Sequence, residues 1–255
     1  MSSKARKAAI VIPARYASTR YPGKPLVEIG GKTMIERVWA QAKKCRLADS
    51  VLIATDDERI AAAVKGFGGE VIMTRDDHPT GTDRLAEVAT KRPDIDIIVN
   101  IQGDEPAIDP AAVDRVIAPL IEDERVEMST MAFPLTLDEE IESNQIVKTV
   151  LDRDGFALYF SRLPIPFHRD KQPTNHQYLG HAGLYVYKRD TLLRIAQLPT
   201  GTLEDLEKLE QLRALENGIR IKVVVMEPGS RTPAVDVPED VAKVESFLMQ
   251  HASSN

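Results

Sequence analysis

A single cysteine, Cys45, leaves no partner for an intrachain disulfide, which suits a reducing cytoplasm. No segment approaches the roughly 20 consecutive apolar residues of a membrane span. The leading MSSKARK is charged, and the apolar run behind it is too short for a secretory-signal core and lacks a cleavage site. Excess positive charge is missing too. The 33 lysines and arginines against 39 aspartates and glutamates give a net charge of −6, which argues against a nucleic-acid or anionic-membrane binder. Internal repeats are lacking, as is any Ser–His or Cys–His arrangement that reads as a nucleophilic pair. These absences leave an expected soluble, cytoplasmic chain of 255 residues, long enough for one large α/β domain.

The stretch AAIVIPARYASTRYPGKPL, residues 8–26, organises the rest. Ala8 to Ile12 is an apolar run rich in β-branched residues, so it predicts a buried strand, with Pro13 ending it. Tyr21, Pro22, Gly23, Lys24 and Pro25 punctuate the following segment as a stiffened loop. That loop carries three cations, Arg15, Arg20 and Lys24, and only Glu28 and Glu36 oppose them before the next strand. Ligands of open parallel sheets sit beyond the carboxyl ends of the strands. Three cations held there make a candidate triphosphate site.

Further along, strands and helices alternate. Thr33 predicts the cap of a helix over 34–46, with Met34, Ile35, Val38 and Ala42 on one face. Val51 to Ala54 reads as a strand, Asp56 or Asp57 opens a helix through Val64, and Glu70 to Met73 is a third strand. A helix over 82–91, a strand from Ile95 to Ile101 and an Asp109-Pro110 helix start continue the pattern. This order predicts an α/β fold with a doubly wound, mostly parallel sheet. After residue 125, short strands crowd at 127–133, 146–151, 156–160 and 181–187, with Asp152 to Gly155 as a hairpin turn. Residues 125–190 are read as an antiparallel extension of that sheet within a single domain of 1–255. The polar segment 168–178 is expected to be a mobile loop and HASSN a frayed tail. A helix over 203–217 ended by Gly218, a strand over 219–226 and a helix from Pro238 to about Gln250 complete the chain.

Other segments carry chemistry. MTRDDHPTGTDR (73–84) sets Thr80, Gly81 and Thr82 between a strand and a helix. Their hydroxyls and backbone carbonyls can read a pyrimidine edge, or Thr82 can serve as an N-cap and Gly81 as a turn. QGDEP puts Gln102 and Asp104 just past the central strand, and Asp104 is a hard oxygen ligand of the kind Mg²⁺ prefers beside phosphates. In AVDVPEDV, Asp236 precedes a helix start, where the dipole alone favours a carboxylate. In LEDLEKLEQLR (203–213), one helix side is Leu203, Leu206, Leu209 and Leu212, and Glu210 projects into that stripe, where a charge needs a partner or a ligand.

IPARYASTRYPGKPL resembles the signature of the 3-deoxy-manno-octulosonate (Kdo) cytidylyltransferases, and the resemblance runs through five motifs from about residue 8 to residue 248. It implies a sheet of nucleotide-diphospho-sugar transferase type. It also implies coupling of CTP and Kdo to CMP-Kdo and pyrophosphate for lipopolysaccharide synthesis, by direct attack of the Kdo C2 hydroxyl on the α-phosphorus. The nucleotide residues implied are Pro13, Ala14, Arg15, Arg20, Lys24, Thr80, Gly81, Thr82 and Arg84, with Arg15 and Lys24 also catalytic. Asp104 and Asp236 are implied as the catalytic pair that holds Mg²⁺. Gln102, Arg162 in ALYFSR, His181 in GHAGLYVY, Glu210 and Gln211 are implied for the acceptor. A homodimer is implied as well, with 125–190 carrying acceptor and dimer contacts. Thr80, Ala182 and Val237 depart from the residues usual in the family, and His78 is left outside the catalytic set. Three rivals use related features. A cytidylyltransferase for a sialic-acid-like sugar would share the chemistry, a glycosyltransferase would want a DxD motif where QGDEP stands, and a CTP-binding regulator would need no sugar-acid pocket.

Overall fold

The computed structural model describes residues 6–17, 21–169 and 176–252. Two units divide the chain, one of residues 1–114 and 232–255 and the other of residues 115–231. In the first, β1 is Ala8–Ala14, followed by a small hairpin of β2 (Glu28–Ile29) and β3 (Lys32–Thr33). Then come α1 (Met34–Ala42), β4 (Ser50–Thr55), α2 (Glu58–Gly66), β5 (Glu70–Met73), α3 (Gly81–Lys91) and β6 (Ile97–Asn100). The strands run β6-β1-β4-β5 and all pairs are parallel, the α/β alternation expected of the sequence.

Local signals set most of these boundaries. Thr33 caps α1 by accepting from the Glu36 amide, and Met34, Ile35, Val38 and Ala42 are the buried face. α1 stops at Ala42, four residues before its expected end. Pro13 does not end β1, and the ladder shows why. Val11 O accepts from Ile101 N, and strand backbone groups alternate sides. Pro13 therefore turns its missing N–H to that same side, beyond the last β6 pairing at Val11–Asn100. The β4 pairing continues unharmed to Ala14–Thr55. Thr80, not Thr82, caps α3, through a reciprocal capping box with Asp83.

α4 (Pro110–Glu122) starts at proline as expected, with Asp109 accepting from the Ala111 amide. The second unit then holds β7 (Met128–Pro134), α5 (Asp138–Glu142), β8 (Lys148–Leu151), β9 (Ala157–Ser161) and β10 (Leu179–Lys188). It continues with α6 (Arg189–Gln197), α7 (Thr202–Glu207), α8 (Gln211–Glu216) and β11 (Ile221–Val225). β10 pairs antiparallel with both β7 and β8, β8 with β9, and β11 lies parallel to β7. The Asp152 to Gly155 turn forms as expected, its Asp152 Oδ1 accepting from the amides of Asp154 and Phe156.

The helix expected over 203–217 is two helices, because Lys208 takes a left-handed conformation at φ 53°. Glu216 folds back to cap α7, accepting from the amides of Leu203 and Glu204. A buried Glu204–Arg213 pair at 2.6 Å locks the two short helices together. The leucine stripe is lost: Leu209 and Leu212 are buried, whereas Leu206 is 75% exposed. After β11 the chain returns to the first unit with α9 (Asp240–Ala252), whose Val244 packs with Ile29, Met34 and Val235. The polar segment 168–178 lies partly outside the described residues, as does most of HASSN.

Candidate active site

In the first unit, a cleft of about 350 Å³ opens beyond the carboxyl ends of β1 and β6. Its lining includes Pro13, Ala14, Arg15, Lys24, Gln102 and Asp104. The loop that delivers Lys24 is anchored through Tyr16. Gly23, at φ 70°, donates its amide to Tyr16 O, and a side chain on it would press within 3.2 Å of the Tyr16 ring. The Arg59 guanidinium lies over the Tyr16 ring, 3.3 Å from its centroid. A short 3-10 turn, Lys24–Leu26, with Pro25 inside it, fixes the direction of Lys24. Arg20 lies outside the described residues.

Lys24 Nζ donates to Asp104 Oδ2 at 2.7 Å and to Val235 O at 2.9 Å. Val235 N in turn donates to Asp104 O at 2.9 Å. The turn bearing Asp104 and the segment bearing Asp236 are thereby stitched together, although 130 residues lie between Asp104 and Val235 in the chain. Asp236 itself is exposed, and its amide is held by Asp240 Oδ2. Asp104 and Asp236 offer hard carboxylate oxygens, which suit a cation that keeps waters and phosphate oxygens as its other ligands. Mg²⁺ binds in that way.

Arg15 reaches across to the loop before α3, its Nη2 donating to His78 O at 2.5 Å and Thr80 O at 3.1 Å. One of the carbonyls expected to read the base, that of Thr80, is thus already engaged by an arginine. The Thr80 hydroxyl is likewise occupied, accepting from the Asp83 amide and donating to Asp83 Oδ2. Gly81 and Thr82 are the first helical residues, and Thr82 is buried. Arg84 is fully buried beneath them, with Nη1 2.9 Å from Asp56 Oδ1 and its Nε and Nη2 without hydrogen-bond partners. It has no exposed surface to offer a nucleotide and instead ties α3 to the end of β4. His78 is a structural residue, as expected, paired through Nε2 with Glu87.

In the second unit, the Arg162 guanidinium is spent on backbone. It donates to Glu207 O at 2.7 Å, Asn144 O at 3.0 Å and Lys208 O at 3.4 Å. Glu207 answers by accepting from Arg162 N and the Ser161 hydroxyl. Arg162 is therefore a strut across the break at Lys208, with two of its five N–H groups outside these bonds. Glu210 stands at the start of α8, half-buried and not inside an apolar stripe. Beside it Gln211 is buried with Nε2 lacking a partner, a donor that a ligand oxygen would satisfy. His181 lines a cavity of about 120 Å³ with Thr136, Glu140 and Arg231. Burial pushes its pKa down to about 3, so the ring is neutral.

Sequence reasoning missed Lys148, Glu207 and Asp56. Lys148 is fully buried, with Nζ donating to the carbonyls of Ser143, Ile146 and Arg162. An invisible carbonyl cage explains that miss. For Asp56, the doubled aspartate at the carboxyl end of β4 was a usable signal, read only as a helix cap.

A family model described as cytidylyltransferase matches residues 9–221. The 3-deoxy-manno-octulosonate cytidylyltransferase of Syntrophotalea carbinolica is 54% identical over 245 residues, covering 93% of this chain and 97% of the relative. That of Myxococcus xanthus is 54% identical over 238 residues, covering 93% and 95%. The solved structure of CMP:2-keto-3-deoxy-manno-octonic acid synthetase complexed with CTP matches with a TM-score of 0.90 at 43% identity, over 96% of this chain and 99% of that one. A cytidylyltransferase from Leptospira borgpetersenii, at 17% identity and a TM-score of 0.63, shares the fold.

Proposed function

The chain belongs to the cytidylyltransferase family, among the 3-deoxy-manno-octulosonate cytidylyltransferases, and from that premise we propose how its own residues carry the reaction. It is a nucleotidyltransferase that couples CTP and Kdo, releasing pyrophosphate and forming CMP-Kdo. The observation that carries the mechanism is the Lys24–Asp104 pair at the carboxyl edge of the parallel strands.

An ammonium has three hydrogens, and Lys24 spends two, on Asp104 and Val235 O. The third is available to a phosphate oxygen without breaking the pair. Arg15, on the same cleft, adds a second cation toward the triphosphate. Asp104 and Asp236 would hold Mg²⁺, which when bound neutralises phosphate charge and lowers the pKa of the attacking hydroxyl. The C2 hydroxyl of Kdo gives up its proton to solvent as its oxygen attacks the α-phosphorus in line, and the bond to the β-phosphate breaks so that pyrophosphate leaves, its charge met by Arg15 and Lys24. Positioning and charge stabilisation supply the rate, with no covalent enzyme intermediate. Glu210, Gln211 and His181 serve the sugar, and Gln102, which lines the nucleotide cleft, faces the phosphates. Family membership supports a place in lipopolysaccharide synthesis, in the cytoplasm and as a homodimer. No helix among the described residues is long and apolar enough to cross a membrane.

Pyrophosphate release from CTP with Mg²⁺, compared across Kdo, C8-modified Kdo and a nonulosonic acid, tests the assignment. Kdo should give the highest kcat/KM. A nonulosonic acid used tenfold better than Kdo would transfer the protein to the sialic-acid-type rival.

A further inference from the structure

Thr130 on β7 and His181 on β10 meet where the β7–β10 ladder is irregular. Pairing runs through His181–Ala132 and Ala182–Met131, then shifts register before Tyr185–Thr130. Gly183 and Leu184 are the extra residues, a bulge of the kind often found beside functional sites. The Thr130 side chain bonds to the bulged strand. Its Oγ1 lies 2.7 Å from Leu184 O, 3.3 Å from Ala182 O and 2.9 Å from His181 Nε2.

Counting hydrogens resolves the ring. A threonine hydroxyl has one hydrogen to give, and a carbonyl oxygen has none. The hydroxyl hydrogen therefore goes to a carbonyl, Leu184 O being the nearest, and Oγ1 must accept from the histidine. Nε2 carries the proton. Phe160 packs edge-on against the ring at 4.9 Å and Tyr185 tilts over it at 5.4 Å, and the burial they contribute to disfavours a charged imidazole. In the neutral Nε2–H tautomer, Nδ1 is a bare lone pair, and it has no hydrogen-bond partner among the described residues.

We propose that Thr130 is a positioning residue that locks His181 in the Nε2–H tautomer, so that His181 meets the acceptor as a hydrogen-bond acceptor for a sugar hydroxyl and not as a cation for the sugar carboxylate. The proposal rests on the assignment of His181 to the acceptor side. It assigns Thr130, a fully buried residue, a part in acceptor recognition without touching the sugar.

The test joins nitrogen-15 spectra of the histidine rings with steady-state kinetics on the intact enzyme. Wild type should show His181 as the Nε2–H tautomer at neutral pH. Thr130→Val keeps the shape of the side chain and removes the acceptor oxygen. It should populate both tautomers and raise KM for Kdo about tenfold with KM for CTP unchanged, the size of one hydrogen bond. Thr130→Ser should restore both readouts. Among Kdo analogues with single hydroxyls replaced by fluorine, which cannot donate, one should lose about tenfold against wild type and nothing further against Thr130→Val. An Nδ1–H or doubly protonated ring in wild type overturns the lock, whatever the kinetics. So does a folded Thr130→Val with wild-type KM for Kdo. Wild-type turnover of CTP and Kdo, run in the same series, keeps the two readings apart, because its absence overturns the functional assignment and leaves the spectra to judge the tautomer.

Discussion

Lys24 holds Asp104 at 2.7 Å while giving a second hydrogen to Val235 O, so one ammonium joins the loop after β1, the turn after β6 and the segment before α9. Their side chains are only 16% and 30% exposed. The pair is therefore more than a screened surface contact, and it leaves the cleft neutral at Asp104 before a polyanion arrives.

Lys24→Met removes the cation and both bonds while keeping much of the side-chain length. Hydrogen bonds to charged groups contribute about 1.5–3 kcal/mol, so kcat/KM for CTP should fall tenfold to a hundredfold or more. A steady-state titration of CTP reads this directly, and an unchanged value would take Lys24 out of the triphosphate site.

Asp104→Asn and Asp236→Asn should each remove most turnover in a folded protein, with a melting temperature close to wild type for Asp236→Asn and a modest drop for Asp104→Asn, which weakens the Lys24 pair. The readout is activity against Mg²⁺ concentration. Either variant reaching full rate at limiting Mg²⁺ is incompatible with that carboxylate holding the ion.

Arg15 carries a third expectation, because it bonds the carbonyls of His78 and Thr80 as well as lining the cleft. CTP should be used at least tenfold better than UTP by wild type, the size of one misplaced hydrogen-bond group. Arg15→Ala frees the 78–80 loop, so it should raise KM for CTP and also narrow the CTP-to-UTP ratio. A variant that weakens both nucleotides equally would confine Arg15 to phosphate contact.

Arg162→Ala should lower stability by about 2–3 kcal/mol, since three carbonyls lose their donor, and Tm by roughly 5–10 °C. KM for Kdo should rise with it, because Glu210 and Gln211 follow the break that Arg162 braces. Arg162→Lys should recover less than half of the stability, because an ammonium cannot span the fork of a guanidinium. A lysine variant as stable as wild type contradicts the strut.

The loop before α3 sets an acid limit. Burial raises the Glu87 carboxyl, but Lys91, His78 and the Arg75 amide outweigh it and hold its pKa at about 2, below the ordinary 4.5. A folded-state pKa below the unfolded one contributes stability that is present above pH 4.5 and lost as pH falls through about 2. Glu87→Gln should therefore be less stable than wild type at pH 7, and the difference should shrink progressively below pH 4.5. Parallel melting curves across that range would expose the error if the gap stayed constant.

What the sequence disclosed follows the reach of the forces involved. Thr33, Asp109-Pro110 and the Asp152 to Gly155 turn act within a few residues of themselves, and each formed where expected. Lys24 and Asp104 could be named singly, because both stand in loops beyond the carboxyl ends of parallel strands, where ligands sit, and their pairing could not. The break at Lys208 was hidden because nothing local asks a lysine to turn left-handed. It depends on Glu216 capping α7, on Glu204 pairing with Arg213 and on Arg162 bonding the carbonyls at the break. Arg84 was misjudged for a similar reason, since its partner Asp56 lies on another element and only packing brings them together. The Thr130–His181 contact depends on a bulge that pairing creates and no residue type announces.

The first unit is assembled from both ends of the chain, residues 1–114 and 232–255. During synthesis, domains tend to fold as their residues emerge, yet this one cannot finish early. Val235, which receives Lys24 and bonds Asp104, comes off the ribosome more than a hundred residues after both. Val244, which completes the small core around Ile29 and Met34, comes later still. A nascent chain that stops short of Val235 thus carries Lys24 without the carbonyl that holds it, and the triphosphate loop is completed only once residues 232–255 have been translated.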